Sequence, residues 1–389
     1  MRVMDFLKSL DEIVDTAISE NVDLVLFAGD AYKDRTPAPT FQREWGRRIM
    51  KLSRAGIPTL LLIGNHDLSP ALGRANALEA FDTLDVPNVR LVDKPDFLGP
   101  AELGGVPVQV IALPWISRST VMANLVIGTD ANEVDSLQSS YEQIEKLLKE
   151  KVDYWLKEKV DPNLPVVMAA HCSVQGALYG NERTVMLGRD LVLHDSFVKN
   201  PRLDYVALGH IHKAQNLNPN NHPPVIYPGS IERIDFGELN DKKLYVIAKV
   251  NRGNTTVDWR ELKSIRPFIE RHVRLKNQER VNDLLREALP TQEKMKGAIV
   301  RLIVEFPRDW EALIDDTALR EYSSSSFEFS LVKRPLIQAR VRLPDNQAIE
   351  SLSTEDLLNI YWDNNHIDSE KAKVLNKLAE NVIRSVQNG

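Results

Sequence analysis

Residues 59–67 read Thr-Leu-Leu-Leu-Ile-Gly-Asn-His-Asp (TLLLIGNHD). A run of uncharged, mostly branched residues with no polar alternation suits a strand buried on both faces rather than a sheet with one wet side. The polar residues come at once after it, behind a glycine. The same pattern recurs three times. Asp23–Ala28 (DLVLFA) runs into Gly29-Asp30, Pro165–Ala170 into His171, and Asp204–Leu208 into Gly209-His210-Ile211-His212.

Between these strands the period changes to that of a helix. Phe6, Leu7, Leu10, Ile13, Val14, Ala17 and Ile18 recur at helical spacing over Met4–Ile18. A second helix is predicted over Phe41–Arg54, stopping at Gly56-Ile57-Pro58. Val108–Leu113 reads as a further strand ending at Pro114-Trp115, and a charged helix is predicted over about 134–160. Strand patterns continue through Pro224–Tyr227 and Lys243–Val250. Strands alternating with helices, and strands this apolar, predict an α/β sandwich.

In open α/β sheets ligands bind in the crevice beyond the carboxyl ends of the strands. One polar residue at a strand end is as well explained by packing as by function. Four such ends are not, because each buried polar group without a partner costs several kcal/mol. Asp30 offers a carboxylate, Asn65 an amide oxygen, and His171, His210 and His212 imidazoles. This mixed set suits Mn²⁺, Fe²⁺ or Zn²⁺ better than the all-oxygen preference of Ca²⁺ or Mg²⁺. In an extended segment His210 and His212 would point the same way and reach one cluster. An aspartate between two ions can bridge them, and two ions stabilise both the attacking and the leaving oxygen of a phosphoryl displacement. His66, beside Asn65, is then placed to orient the phosphate or protonate the leaving oxygen.

Composition narrows the field further. The chain has 389 residues, 43% hydrophobic and 27% charged, with a net charge of −6 from 49 basic and 55 acidic residues. This is ordinary globular composition; it excludes a strongly basic nucleic-acid coat but not local basic patches. No run of ~18 apolar residues reads as a membrane span. MRVMDFLKSLDEIVD does not read as a signal peptide. The single cysteine, Cys172, excludes an intrachain disulfide and fits a reducing compartment.

Gly29-Asp30, Gly64-Asn65-His66-Asp67, His171 and Gly209-His210-Ile211-His212 together resemble the motifs of the calcineurin-like metallophosphoesterase superfamily. LFAGDAYKDRTP, TLLLIGNHD, IALPW, LGHIHKAQ and YPGSIERIDFGE (227–238) are similar to the DNA double-strand-break nuclease family of the SbcD and MRN type. The resemblance covers residues 1–265 clearly. It implies a two-sheet sandwich with two Mn²⁺ ions. Asp30 would bridge them, Asn65, His171 and His210 would hold one, and His212 would go to the other. His66 would be the catalytic histidine, with Asp67 holding its ring. The family's first motif, Asp-x-His, is not found ahead of Asp30. The expectation is one tight and one weak metal site, with an upstream apolar strand ending in Asp-x-His. An inactive scaffold subunit and a small-molecule phosphodiesterase are the rival readings.

By this reading residues 1–264 form the nuclease domain with its first strand missing, 265–345 a small α+β capping and DNA-binding domain, and 351–389 a helix pair. The capping unit is predicted to hold a strand at His272–Leu275, a helix at about Arg280–Ala288 and a strand at Ala298–Phe306. Ser353-Thr354-Glu355-Asp356 reads as a capping box for the first terminal helix. Apolar Leu357, Leu358, Ile360, Tyr361 and Trp362 are followed by Ala372, Leu375, Leu378, Ala379, Val382 and Ile383. The resemblance implies that these helices grip an SMC-like ABC ATPase subunit of SbcC type, that the protein is a homodimer acting on DNA, and that it is cytoplasmic and nucleoid-associated. His194, His222, His272 and His366 have no metal-like context. Cys172 reads as a small buried residue and Trp115 as core or cleft wall. Gly229-Ser230 reads equally as a turn or a phosphate contact. Lys33, Arg35 and Arg233 read as loop charges near the cleft, solvated or touching DNA.

Overall fold

The computed structural model describes residues 2–69, 74–116, 137–180, 191–336, 353–364 and 367–387. It divides into two compact units, Met1–Ile269 with Gly297–Ile299, and Glu270–Lys296 with Val300–Gly389.

In the first unit β1 (Val25–Phe27), β2 (Thr59–Leu62) and β3 (Val89–Val92) form a parallel sheet in that order. Helices α1 (Val3–Ser19) and α2 (Pro39–Arg54) cover its outer face. Leu10 and Val14 of α1 and Trp45, Ile49 and Leu52 of α2 pack there with Leu61 and Ile63. Residues of a strand alternate between faces. Leu60 and Leu62 therefore enter a second core, with Val110, Ala112, Val167 and Ala169 of the facing sheet. This is why 59–63 has no polar alternation: each side of the strand has its own core.

The facing sheet has six strands. It contains β4 (Asp96–Leu98), β5 (Gln109–Leu113) and β6 (Val166–His171). Past a small side pair, β7 (Ser173–Val174) and β8 (Val192–Leu193), it continues with β9 (Tyr205–Gly209), β10 (Gln215–Asn216) and β11 (Val225–Tyr227). The order is β10-β11-β9-β6-β5-β4, with the four central strands parallel and both edge strands antiparallel. Its outer face is covered by α3 (Leu137–Glu158), whose Ile144, Leu148, Val152 and Trp155 pack on Met168, Ala170, Val206 and Leu208. The hairpin of β12 (Leu244–Asn251) and β13 (Asn254–Glu261) adds Val246, Ala248 and Trp259 to the inner core. The result is the helix–sheet–sheet–helix sandwich that the sequence predicts. β3, β4 and β13 are not legible in the sequence, because edge and hairpin strands carry the charges and short lengths that blunt an exposed edge.

The second unit is built on a sheet of β14 (Phe268–Arg274), β15 (Ile299–Pro307) and β16 (Glu328–Leu336). It carries α4 (Val281–Ala288) and α5 (Asp316–Tyr322). β16 is hidden in the sequence because Lys333, Arg334 and Pro335 break its pattern. The capping box is formed: Asp356 N donates to Ser353 Oγ (3.1 Å) and Ser353 N to Asp356 Oδ2 (3.0 Å), opening α6 (Thr354–Asn364). α6 packs on α7 (Ser369–Gln387) through Trp362 Nε1 donating to Asn376 Oδ1 (2.8 Å). His366 lies outside the described residues.

Candidate metal centre

Four strand ends from two sheets meet at one place. Asp30 follows β1 and Asn65 follows β2, in the three-stranded sheet; His171 ends β6 and His210 follows β9, in the six-stranded one. His171 Nε2 lies 3.2 Å from Asp30 Oδ2 and 3.1 Å from Asn65 Oδ1, and His210 Nδ1 lies 3.0 Å from the same Asn65 oxygen. Ligand atoms of Asp30, His171 and His210 all lie within 4.8 Å of one another.

The backbone is bent to permit this. Asp30 has φ +61° and His210 φ +95°, in the left-handed region that side chains other than glycine rarely adopt. His210 is therefore a bend and not part of an extended strand, so the alternation expected of His210 and His212 does not hold. Gly29 (φ +93°) and Gly64 make room: a Cβ on Gly29 would strike the His171 ring, and one on Gly64 would strike Asp30. Gly209 is excluded from bulk in the same way, against the Ala28 carbonyl and the His171 ring.

The protons show what the centre can hold. His171 Nδ1 donates to the Ala28 carbonyl (2.5 Å), an acceptor that requires the N–H on that nitrogen. A neutral His171 then turns a bare Nε2 lone pair toward the Asp30 carboxylate and the Asn65 oxygen, in a site where its side chain is fully buried. Such a convergence of lone pairs is satisfied by a cation. Without one the imidazole is driven toward its protonated form. Burial opposes that charge, but the Asp30 carboxylate outweighs it and raises the His171 pKa. For Asp30 burial also opposes the charged form, here by raising the pKa, yet the His171 charge and hydrogen bond and the His66 amide hold it at about 2. The donor set thus fits a divalent ion of the N/O-preferring kind.

Asp67 does not hold the His66 ring as the resemblance implies. It is buried, and its Oδ2 accepts from the amides of Asp30 (2.7 Å) and Gly64 (3.0 Å), while Oδ1 accepts from Tyr32 N (3.3 Å). One carboxylate thereby ties the loop after β1 to the loop after β2. His66 is exposed; its Nδ1 donates to the Lys33 carbonyl (2.7 Å) and its amide to Asp30 Oδ1 (2.9 Å). Asp67→Ala, which strands three amides, is expected to destabilise the fold by about 3 kcal/mol in denaturant unfolding. Burial, then the Asp30 charge, raise the Asp67 pKa to about 6. A carboxyl raised on folding contributes stability below its unfolded pKa and loses it as pH rises through the folded value. In the metal-free chain the Asp67→Asn variant should therefore lack a loss of stability that the parent shows between about pH 4 and 6.

His212 stands outside the trio of Asp30, His171 and His210. Its Nδ1 lies 3.0 Å from Glu238 Oε1. The segment Tyr227–Glu238 wraps this turn. Tyr227, fully buried, donates its hydroxyl to the Cys172 carbonyl (2.7 Å), fixing the chain just past His171. Ser230 N donates to the His212 carbonyl (3.0 Å), so that amide serves a turn. The guanidinium of Arg233 donates to the carbonyls of Glu238, Asp241 and Arg266, so it is a structural cation here. The motif is conspicuous in the sequence, yet the job of Glu238 is not, because its only signal is a contact that the fold creates. Trp115 is the cleft wall, its ring centroid 4.8 Å from that of His210 and 6.0 Å from that of His171. Cys172 is buried and its thiol pushed up to about 12 by burial, which makes it inert. Of the other histidines, His194 caps a short helix through Ser196, His222 lies near Asp204 (3.8 Å) and His272 near Glu305 (3.1 Å).

Comparison with known proteins matches this geometry to a chemistry. The chain is 24% identical to the SbcD subunit of the nuclease SbcCD of Escherichia coli (strain K12) over 246 residues, covering 63% of this chain and 59% of that protein. It is 25% identical over 271 residues to the DNA double-strand break repair protein Mre11 of Archaeoglobus fulgidus, covering 69% and 54% of the two chains. Against the protein of the same name from Thermoplasma acidophilum the identity is 22% over 349 residues, 88% and 80% of the two chains. The first two matches span less than two thirds of those relatives. The sequence model described as calcineurin-like phosphoesterase matches residues 4–214, the stretch that carries all five proposed ligands. By that match and by its sandwich of two sheets, the chain belongs to the calcineurin-like metallophosphoesterase family, whose members use divalent metal ions to cleave phosphoesters.

Proposed function

We propose that this chain is the Mn²⁺-dependent nuclease subunit of a double-strand-break repair complex of the SbcCD type, cleaving DNA phosphodiesters as exonuclease and endonuclease. The observation that carries the metal chemistry is the meeting of His171 Nε2, whose partner nitrogen Nδ1 is committed to the Ala28 carbonyl, with Asp30 Oδ2 and Asn65 Oδ1 in a buried site. The names of the relatives, a nuclease subunit and a double-strand break repair protein, support DNA as the substrate.

In this reading Asn65, His171 and His210 would hold one ion, His212 would serve a second, and Asp30 would contribute its carboxylate to the pair. Bound ions supply Lewis acidity toward the phosphate and lower the pKa of water. The protein's own part is positional. His66 spends Nδ1 on the Lys33 carbonyl, which leaves Nε2 for proton exchange with the leaving oxygen. Trp115 closes one wall and limits water at the His210 side. Residues 265–345 act as a capping and DNA-binding domain, and 351–389 join the chain to an SMC-like ATPase. Residues 1–264 form the nuclease domain, and the subunit works as a homodimer.

The test compares substrates. The purified chain at saturating Mn²⁺ should cleave end-labelled duplex DNA at a very low rate, because its second metal site is weak, and hydrolyse a small aryl phosphodiester more weakly still. Efficient turnover of the aryl ester without any DNA cleavage would assign a small-molecule phosphodiesterase instead.

A further inference from the structure

Behind His212 lies a charged pair set apart from the Asp30–His171–His210 trio. The Lys243 side chain is 1% exposed and that of Glu238 3%, with Lys243 Nζ 2.7 Å from Glu238 Oε2. Lys243 also donates to Ser230 Oγ (2.8 Å), and Glu238 Oε2 accepts from Ile234 N (3.0 Å). The other carboxylate oxygen, Oε1, faces His212 Nδ1 at 3.0 Å. A buried ion pair is poor evidence for stability: its desolvation offsets its attraction, and apolar residues of similar volume often serve as well. What such a pair does supply is a fixed anion.

We propose that Glu238 is the positioning residue of His212: anchored by Lys243, it accepts the Nδ1 proton and so presents Nε2 as the ligand atom for the second metal ion. A neutral imidazole carries one N–H, and the partner of one nitrogen decides what the other can do. A carboxylate accepting from the far nitrogen also fixes the ring plane and raises the basicity of the ligating one. Glu238 reaches His212 from 26 residues further along the chain, through the turn that Tyr227, Ser230 and Arg233 hold in place. The inference rests on the two-ion reading above.

The experiment uses the full chain with ¹⁵N-labelled histidine. Metal-free parent protein at about pH 8.5, above the ordinary histidine pKa, should show His212 as the Nδ1–H tautomer in long-range ¹H–¹⁵N spectra. The Glu238→Met/Lys243→Met double variant removes both charges with unbranched side chains that adapt to the space. It should mix the His212 tautomers and weaken the weaker of two Mn²⁺ sites roughly 10–100-fold, read by calorimetry, with the tighter site unchanged. Glu238→Gln/Lys243→Met keeps an acceptor oxygen and should recover most of the Nδ1–H form. An Nε2–H tautomer in the parent overturns the proposal, whether or not either variant folds. So does a folded methionine variant with unaltered tautomer and Mn²⁺ binding. A parent chain that keeps Nδ1–H yet binds no Mn²⁺ overturns the metal reading and leaves the positioning role standing.

Discussion

His171→Ala is expected to weaken Mn²⁺ binding by more than about 100-fold, since loss of a mere outer partner of a ligand already costs roughly 10–100-fold. The ring is the centre of the cluster: it meets Asp30 and Asn65 on one nitrogen and the Ala28 carbonyl on the other. Asn65→Ala and His210→Ala should follow the same direction, because each removes one of few protein donors. His66→Ala should leave Mn²⁺ binding within a few-fold and instead lower hydrolysis by about 10²–10⁴-fold, the usual worth of a positioned acid or base. Metal titration of the purified variants, followed by DNA cleavage at saturating Mn²⁺, separates the two effects. Loss of metal binding in His66→Ala with retention in His171→Ala would exchange their roles.

The ligand cluster is legible in the sequence because it lies where the hydrophobic pattern stops. A doubly buried strand such as β2 announces both its length and its end, and the polar residue at that end is the one that reaches the crevice. The glycines of the motifs are legible as letters but not as reasons. Only the packing shows that Gly64 must admit Asp30 and that Gly29 must admit the His171 ring. Asp67 misleads for a related cause. Its place beside His66 in the sequence suggests that it serves that ring, whereas a tight turn sends successive side chains to different places, and its carboxylate finds three amides instead. Lys243 is invisible for the opposite reason: it opens a strand pattern, where a lysine ordinarily reads as solvated. Its burial follows from a carboxylate five residues away in sequence, and only the fold brings the pair to His212.

Deleting residues 351–389 is expected to abolish association with an SMC-like ATPase while the first compact unit keeps its unfolding transition. None of the described side chains on α6 or α7 is buried, although both helices are rich in apolar residues. Tyr361 is 50% exposed, Val374 62% and Leu378 57%. Helix pairs that serve only as their own core hide such side chains; an apolar face left open marks a surface for a partner. Val374 and Leu378 lie four residues apart on α7, hence on one face of it, which suits anchoring into a groove. The Trp362–Asn376 and Asn376–Asn359 hydrogen bonds hold α6 to α7 without using that face. Val374→Asp/Leu378→Asp should accordingly weaken co-purification with the ATPase as severely as the deletion does, because central apolar anchors carry most of an interface's energy. It should leave the helix content of the chain unchanged by circular dichroism, since both side chains are more than half exposed. A double variant that still binds the ATPase at parental strength would place the interface elsewhere, and a deletion that unfolds the first unit would make the helix pair part of the fold rather than an arm for the partner.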